Sequence, residues 1–242
     1  RVLVRSRGLG DVYKRQVLET FRHPSGQSNG LALDGRGRLI ACEHANRRVT
    51  LTGLDGKITV LADRYSGKRL NSPNDVVVRS DGSIYFTDPP YGVKQELREL
   101  DFQGVFRISH DGKKLTSLAG DFIKPNGLAF SPDEKTLYVA DTEAGHIRAF
   151  DAEKDGSLNR GRVFAKIEWP DGMKVDAKGD VYCTGSGGVW VFDPTGNKLG
   201  VIETPETPAN CAFGGGDFKT LFMTCRTGLY RIRVATPGAG PL

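Results

Sequence analysis

Short apolar and β-branched runs separated by Asp/Gly turns recur along this chain of 242 residues. Residues 76–78, 84–88, 104–108 and 115–118 are four consecutive runs of this kind. Asp-Gly dipeptides between apolar runs are a strong signal for β-hairpins. Residues 147–151 and 189–193 alternate with period two, which is typical of strands with one buried face. The pattern therefore predicts antiparallel sheets throughout.

A polar residue opens the first run of each of five segments. These residues are Asn29, Asn74, Asn126, Asp171 and Asn210, with steps of 45, 52, 45 and 39 residues. A repeat of about 40–50 residues and four strands is typical of a β-propeller blade. Since a propeller brings the start of every inner strand to one channel, we expect these five side chains to meet around one axis.

The repeat predicts the fold class and the domain boundaries. We expect an all-β, six-bladed β-propeller with most of the first blade missing, so that about five blades are present. Residues 1–16 are expected to be a foreign leader, with a native basic tail as the alternative. Residues 17–235 form the propeller domain, and residues 236–242 form a C-terminal tail. A short helix fits only within residues 94–102, on a loop over the channel mouth.

Composition narrows the possible partners. The leader contains five of the 34 basic and one of the 29 acidic residues, so the rest of the chain has a net charge of +1. This balance predicts no nucleic-acid partner. No run of about 18 apolar residues exists, so no membrane span is expected. No protein partner is indicated. We expect a cytoplasmic location, with a periplasmic one as the alternative.

Three of the polar markers share a further feature, because Asn74, Asn126 and Asp171 each follow a proline. Burying such groups costs a few kcal/mol each unless something pairs with them. A hard cation held by carboxamide and carboxylate oxygens would satisfy all three together. The alternative is that each caps its own turn by a side-chain hydrogen bond. For three residues in register we favour a shared ion site.

Several motifs resemble the gluconolactonase/regucalcin (senescence-marker-protein) family. They are Asn71-Ser72-Pro73-Asn74-Asp75, Pro125-Asn126-Gly127-Leu128, Pro170-Asp171-Gly172-Met173 and Cys211-Ala212-Phe213-Gly214-Gly215. Glu43-His44 and Thr87-Asp88-Pro89-Pro90-Tyr91-Gly92 are similar to its bacterial lactonase branch. The resemblance covers about residues 28–233. It implies a six-bladed propeller with one divalent cation in its channel, which hydrolyses sugar lactones or, in some relatives, organophosphates.

The resemblance also implies roles for particular residues. Asn126 and Asp171 correspond to metal ligands, and Asp171 is also the acid/base candidate. Asn74 corresponds to a residue that contacts metal or substrate, and its neighbour Asp75 is expected to support it at the substrate site. The expected ion is Ca²⁺, with Mg²⁺, Mn²⁺ or Zn²⁺ as alternatives.

The chain departs from the family pattern at two points. It lacks the Glu ligand of an N-terminal Glu-Gly-Pro type motif, so we expect weaker metal binding than in a complete chain. The regucalcin branch has a substrate-binding Arg where Ser72 stands. Its sugar specificity therefore does not transfer.

Three further residues are candidate substrate contacts. Asn29 is expected to line the channel, and Tyr91 lies on the long loop expected to cover a bound lactone. His44 follows a second strand near the channel mouth, with a hydrogen-bonded turn as its alternative role. Trp169 precedes Pro170 and fits either a channel wall or core packing equally well.

The sequence thus predicts a metal-dependent hydrolase that opens small-molecule sugar lactones. An organophosphate or ester hydrolase using the same site is the alternative among enzymes. A non-catalytic calcium-binding propeller is the alternative outside enzymes.

Overall fold

The computed structural model describes residues 3–4 and 18–240, so most of the predicted leader lies outside the described residues. Strands β1 (Leu3–Val4) and β2 (Leu18–Glu19) pair with each other. The first blade contains β3 (Ser28–Leu33), β4 (Leu39–Glu43), β5 (Arg48–Thr52) and β6 (Ile58–Ala62). A small hairpin of β7 (Arg64–Tyr65) and β8 (Lys68–Arg69) follows it.

The remaining strands form four more sheets. The second blade contains β9 (Val76–Val78), β10 (Ile84–Thr87), β11 (Val105–Ile108) and β12 (Leu115–Ala119). The third contains β13 (Pro125–Phe130), β14 (Thr136–Asp141), β15 (His146–Ala152) and β16 (Leu158–Lys166). The fourth contains β17 (Met173–Val175), β18 (Val181–Gly185), β19 (Gly188–Phe192) and β20 (Lys198–Glu203). The fifth contains β21 (Pro208–Gly214), β22 (Thr220–Cys225) and β23 (Leu229–Arg233).

These five antiparallel sheets are arranged as blades of a propeller. The innermost strands β3, β9, β13, β17 and β21 contact one another in chain order. This arrangement confirms the predicted all-β propeller with five blades. Within the described residues the one helix is a single 3-10 turn, Gln95–Leu97, inside the segment where a short helix was predicted. No helix of the described part has the length and hydropathy needed to cross a bilayer.

The hydrophobic core lies between neighbouring blades. The cluster between the second and third blades contains Tyr85, Leu128 and Phe130, and the Tyr85 and Phe130 rings meet edge to face at 5.0 Å between centroids. Similar clusters join the other consecutive blades. Each blade is therefore held mainly by the faces of its neighbours, as expected when one sheet face cannot bury its apolar residues alone.

Glycine allows the inner strands to approach closely. The backbone N–H of Gly30 donates to Asn74 O at 2.6 Å, and that of Gly127 donates to Asp171 O at 3.0 Å. A Cβ on Gly30 would lie only 2.6 Å from Asn74 O. The glycines after Asn29, Asn126 and Asp171 therefore permit direct hydrogen bonds between adjacent blades.

The same hydrogen bonds correct the predicted position of the fifth repeat. Gly172 N–H donates to Ala209 O at 3.1 Å, so Ala209, not Asn210, occupies the place that Asp171 has in the preceding blade. Pro208 then matches Pro170. The sequence interpretation was off by one residue because it followed the polar residue instead of the proline. Asn210 takes the place that follows the marker, and it still lines the cavity at the start of the inner strands.

Part of the predicted C-terminal tail contacts the blades. The N–H groups of Gly238 and Ala239 donate to Phe218 O at 2.9 Å and Val175 O at 3.0 Å. Pro237 O accepts from Ala177 N–H at 2.9 Å. The described tail residues therefore attach to the edge of the propeller away from the start of the inner strands.

Candidate active site

One cavity of about 440 Å³ opens where the inner strands begin. It is lined by six of the seven residues that the sequence predicted for the site, namely Asn29, His44, Asn74, Tyr91, Asn126 and Asp171. These residues come from four blades and from the loop after β10. The predicted convergence of oxygen-bearing side chains from separate blades is therefore present. Residue Asp75 is the exception.

In two blades, a buried carboxylate binds the backbone just before the inner-strand asparagine. Asp141, at the end of β14, accepts from the N–H groups of Ile123 and Lys124 at 2.9 and 2.8 Å, ahead of Pro125 and Asn126. Charge-assisted hydrogen bonds of this kind are stronger than neutral ones. The second strand of the blade thereby positions the residues that lead into its first strand.

The second blade uses the same device. Asp88 accepts from the N–H groups of Asn71 and Ser72 at 2.7 and 2.8 Å, ahead of Pro73 and Asn74. Asp88 is fully buried, and this burial raises the pKa of its carboxyl group to about 7. The backbone N–H groups oppose the shift, because they stabilise the charged form.

The amide of Asn126 has a fixed orientation. Its Nδ2 donates to Thr142 Oγ1 at 3.0 Å and lies 3.4 Å from the Tyr91 hydroxyl. The Thr142 hydroxyl in turn donates to Pro170 O at 2.7 Å. Since that hydroxyl has one proton, it can only accept from Asn126. Oδ1 of Asn126 therefore remains the atom that can accept a hydrogen bond or bind a cation.

Asn74 and Asn29 form a connected pair. Asn74 is buried, and its Oδ1 accepts from Asn29 Nδ2 at 2.6 Å. The backbone N–H of Asn74 donates to Thr87 O at 2.8 Å, and Asp171 N–H donates to Thr184 O at 2.9 Å in the same register. Asn74 and Asp171 therefore begin their inner strands in equivalent positions.

Asp75 does not reach the cavity wall. It is buried, its Oδ1 accepts from Val76 N–H at 2.9 Å, and its backbone pairs with Thr87. Its position matches that of the glycines after Asn29, Asn126 and Asp171. Asp75 therefore lies behind Asn74, where it contacts the strand rather than the space a substrate would fill.

Tyr91 and His44 lie on the side of the cavity formed by the long loop. Gly92 N–H donates to the buried Ser72 Oγ at 3.1 Å, which fixes this loop beside Tyr91. Burial raises the pKa of the Tyr91 hydroxyl, and the charge of Asp171 raises it further, although the hydroxyl of Thr142 opposes the shift. Tyr91 therefore stays protonated at neutral pH. Ser72 therefore binds the loop through its hydroxyl group and does not line the cavity.

The cavity also contains residues that sequence reasoning missed, including Lys124, Thr142, Glu143 and Thr207. Lys124 forms an ion pair with Glu143, and its ammonium lies 5.4 Å from the centroid of the Tyr91 ring. Two positional signals could have found them. Lys124 and Thr207 precede the inner-strand prolines, and Thr142 follows a second strand as His44 does.

The oxygen donors of the cavity fit a hard cation. Asp171 supplies a carboxylate, and Asn74 and Asn126 supply amide oxygens, which are the ligand types that Ca²⁺ prefers. Within the described residues, no three His, Cys, Asp or Glu side chains are placed to bind a metal together. A cation at this site would therefore depend on the amide oxygens as well as on Asp171.

Comparison with known proteins is consistent with this geometry. The sequence profile described as SMP-30/Gluconolactonase/LRE-like region matches residues 11–227. The gluconolactonase of Zymomonas mobilis is 35% identical over 237 residues, which cover 90% of this chain and 65% of that protein. The lactonohydrolase oryL of Aspergillus oryzae is 29% identical and covers 78% of this chain and 50% of its own length.

A solved structure agrees over most of the chain. The gluconolactonase of Xanthomonas campestris superposes with a TM-score of 0.83 and 40% identity, covering 91% of this chain and 75% of that one. The chain spans less than two thirds of the length of the two curated relatives. It belongs to the SMP-30/gluconolactonase/LRE-like family.

Proposed function

We propose that this member of the family hydrolyses the ester bond of sugar lactones. The observation that supports it most directly is the shared cavity of Asp171, Asn126 and Asn74 in a chain 35% identical to a gluconolactonase. Its volume of about 440 Å³ lies in the range of small-molecule sites. A six-membered sugar lactone is a substrate of suitable size and polarity.

Asp171, Asn126 and Asn74 would hold one divalent cation, with Ca²⁺ as the expected ion. When bound there, such an ion polarises a lactone carbonyl and stabilises the negative charge that develops on its oxygen. The hydrogen bonds that orient Asn126 prepare the protein for it. The Asn126 amide nitrogen donates a hydrogen bond to Thr142, so the amide oxygen is the atom left to bind the cation.

Asp171 is the proposed acid/base. Its carboxylate accepts a proton from a water molecule as the water oxygen attacks the lactone carbonyl carbon. The ring C–O bond then breaks, and Asp171 returns the proton to the departing alkoxide. The product is the open hydroxy acid. Asp171 is half-buried. Its backbone N–H donates to Thr184 O and its carbonyl oxygen accepts from Gly127 N–H, so its position is well defined.

The other polar side chains would bind the substrate. Tyr91 keeps its proton and can donate a hydrogen bond to a lactone oxygen. His44 and Asn29 lie on the cavity wall, within the same site, and can bind ring hydroxyl groups. Asp75 would act indirectly, by fixing the strand behind Asn74.

A direct assay tests the proposal. Hydrolysis of glucono-δ-lactone is followed with a pH indicator, with spontaneous hydrolysis subtracted, before and after chelator treatment and after Ca²⁺ is restored. We expect activity that chelator removes and Ca²⁺ restores. Calcium binding by calorimetry without any hydrolysis would instead support a non-catalytic calcium-binding propeller. Hydrolysis that chelator leaves unchanged would rule out the proposed role of the cation.

A further inference from the structure

Trp169 exposes a large aromatic side chain at the wall of the cavity. Its relative exposure is 59%, and it lines the same cavity as Asp171, two residues further along the chain. Soluble proteins usually bury tryptophan to a high degree. An exposed indole at the wall of a polar cavity therefore indicates a binding role.

The backbone of Trp169 is also unusual. Its φ angle is +53°, in the left-handed region that bulky residues rarely adopt. Three other residues precede an inner-strand proline, namely Ser72, Lys124 and Thr207, and none of them has a positive φ. In the first blade, Gln27 lies two residues before Asn29 and has a similar φ of +54°, so two of the five blades share this conformation. Of these two residues, Trp169 lines the cavity.

The neighbours of Trp169 hold this conformation in place. Glu168 O accepts from Ser186 N–H at 3.0 Å, and Pro170 O accepts from the Thr142 hydroxyl at 2.7 Å. Strained residues persist where the surrounding structure fixes them, and they concentrate at functional sites. Hydrogen bonds therefore fix the backbone before and after Trp169, and its indole lies at the cavity wall.

The neighbouring blades place polar groups on either side of this indole. Lys124 and Thr207 occupy the corresponding positions in the third and fifth blades, and both line the cavity. An aromatic ring has a negative face that attracts the partly positive C–H groups of a sugar ring. One apolar face flanked by hydrogen-bonding groups suits a ring with an apolar C–H face and hydroxyl groups at its edge.

We propose that Trp169 is the stacking platform for the sugar ring of the lactone and so determines substrate preference. This inference rests on the proposed lactone hydrolysis at the same site. The stacking contact is the same in the bound substrate and in the transition state, so it stabilises both states equally. Its loss therefore raises KM and leaves kcat nearly unchanged.

The chain offers a selective optical test, because Trp169 and Trp190 are its two tryptophans. Trp190 is on β19, where it stacks on Phe192 and donates to Ser186 O, and it does not line the cavity. In Trp190→Phe, tryptophan emission reports on Trp169 alone. We expect saturable quenching or a shift of this emission on titration with glucono-δ-lactam, a stable amide analogue of the lactone.

Kinetics provides the second readout. We expect Trp169→Ala to raise KM for glucono-δ-lactone about tenfold, the upper range for an aromatic contact, with kcat within about twofold. Trp169→Phe keeps an aromatic face and should restore most of the lost affinity. Trp190→Phe is the matched control and should retain the KM of the unmodified chain.

The outcomes separate this inference from the proposed function. If the unmodified chain hydrolyses lactone but Trp169→Ala has the same KM, the platform is refuted and the activity stands. If no hydrolysis occurs but the lactam changes Trp169 emission, the activity is refuted and the platform stands. Unchanged emission with saturating lactam in Trp190→Phe refutes the platform even if Trp169→Ala fails to fold.

Discussion

The backbone N–H of Gly127 donates to the carbonyl oxygen of Asp171 across 3.0 Å. This bond joins the third blade to the fourth at the point where Asn126 and Asp171 enter the cavity. Two proposed cation ligands from different blades are thus linked by one hydrogen bond between their strands. Their relative position depends on the backbone contact as much as on the side chains.

Gly127→Ala should disturb this contact. An added methyl group would overlap the Asp171 carbonyl oxygen and lie 2.8 Å from Gly172 Cα. We expect the free energy of unfolding to fall by about 1–3 kcal/mol, as for other overpacked sites, and lactone hydrolysis to fall with it. Urea denaturation and the indicator assay measure the two effects.

Gly200→Ala is the matched control, since Gly200 lies in β20, has no positive φ, and has open space at the Cβ position. Its unfolding free energy should change by at most about 0.5 kcal/mol. Equal effects of the two substitutions would show that the approach of the blades at Gly127 is not restrictive.

Asp171→Asn should abolish most activity, because the amide keeps the shape but cannot accept a proton from water. We expect kcat to fall by about 100-fold or more and Ca²⁺ affinity to fall as the anionic ligand is lost. Asp180→Asn, in the same blade and outside the cavity wall, is the control. Activity retained by Asp171→Asn would refute its role as acid/base.

Thr142→Val should release the Asn126 amide. It removes the acceptor for Asn126 Nδ2 and the donor to Pro170 O, at a cost in stability of about 1–2 kcal/mol. We expect Ca²⁺ affinity, measured by calorimetry, to fall several-fold. Thr142→Ser keeps the hydroxyl and should bind like the unmodified chain. The orienting role would be disproved by equal affinities of the Val and Ser variants.

Asp88 should make stability depend on pH. Burial raises its folded-state pKa to about 7, above the ordinary value of 3.8, so between these values the folded chain binds the extra proton. The free energy of unfolding should therefore fall by up to a few kcal/mol as pH rises from about 4 to 7. Asp88→Asn lacks the titration.

The test compares the two proteins by denaturation at several pH values. The stability of the unmodified chain relative to Asp88→Asn should decrease from pH 4 to pH 7 and then level off. A difference that increases over this range would mean that the two backbone N–H donors outweigh burial and keep the carboxylate charged.

Much of the fold could be read from local pattern. The hairpin turns at Asp81-Gly82 and Asp111-Gly112 and the period-two runs are local features, so the strands from 76 to 119 lie close to where the sequence predicted them. The cavity residues Asn74, Asn126 and Asp171 were found because each follows a proline in an equivalent strand. That signal is also local, repeated in each blade.

Contacts between distant segments could not be read in this way. Asn210 looked like the fifth marker, but a hydrogen bond from Gly172 shows that Ala209 has that place. Asp75 is adjacent to Asn74 in sequence, yet it is buried behind Asn74 and does not line the cavity. Both assignments depend on a shift of one residue in the strand register, which the contacts with neighbouring strands fix. Asn210 nevertheless lines the cavity, whereas Asp75 does not.

The amino-acid sequence by itself determined the repeat, its all-β blades and the oxygen-bearing residues that begin them, because these follow from turn chemistry and the strand period. Only the tertiary structure decided which side chains share the cavity, how the Asn126 amide is oriented, and that Trp169 is exposed at its wall. Those features depend on hydrogen bonds and packing within and between blades, whose partners lie 16 or more residues apart and leave no local pattern.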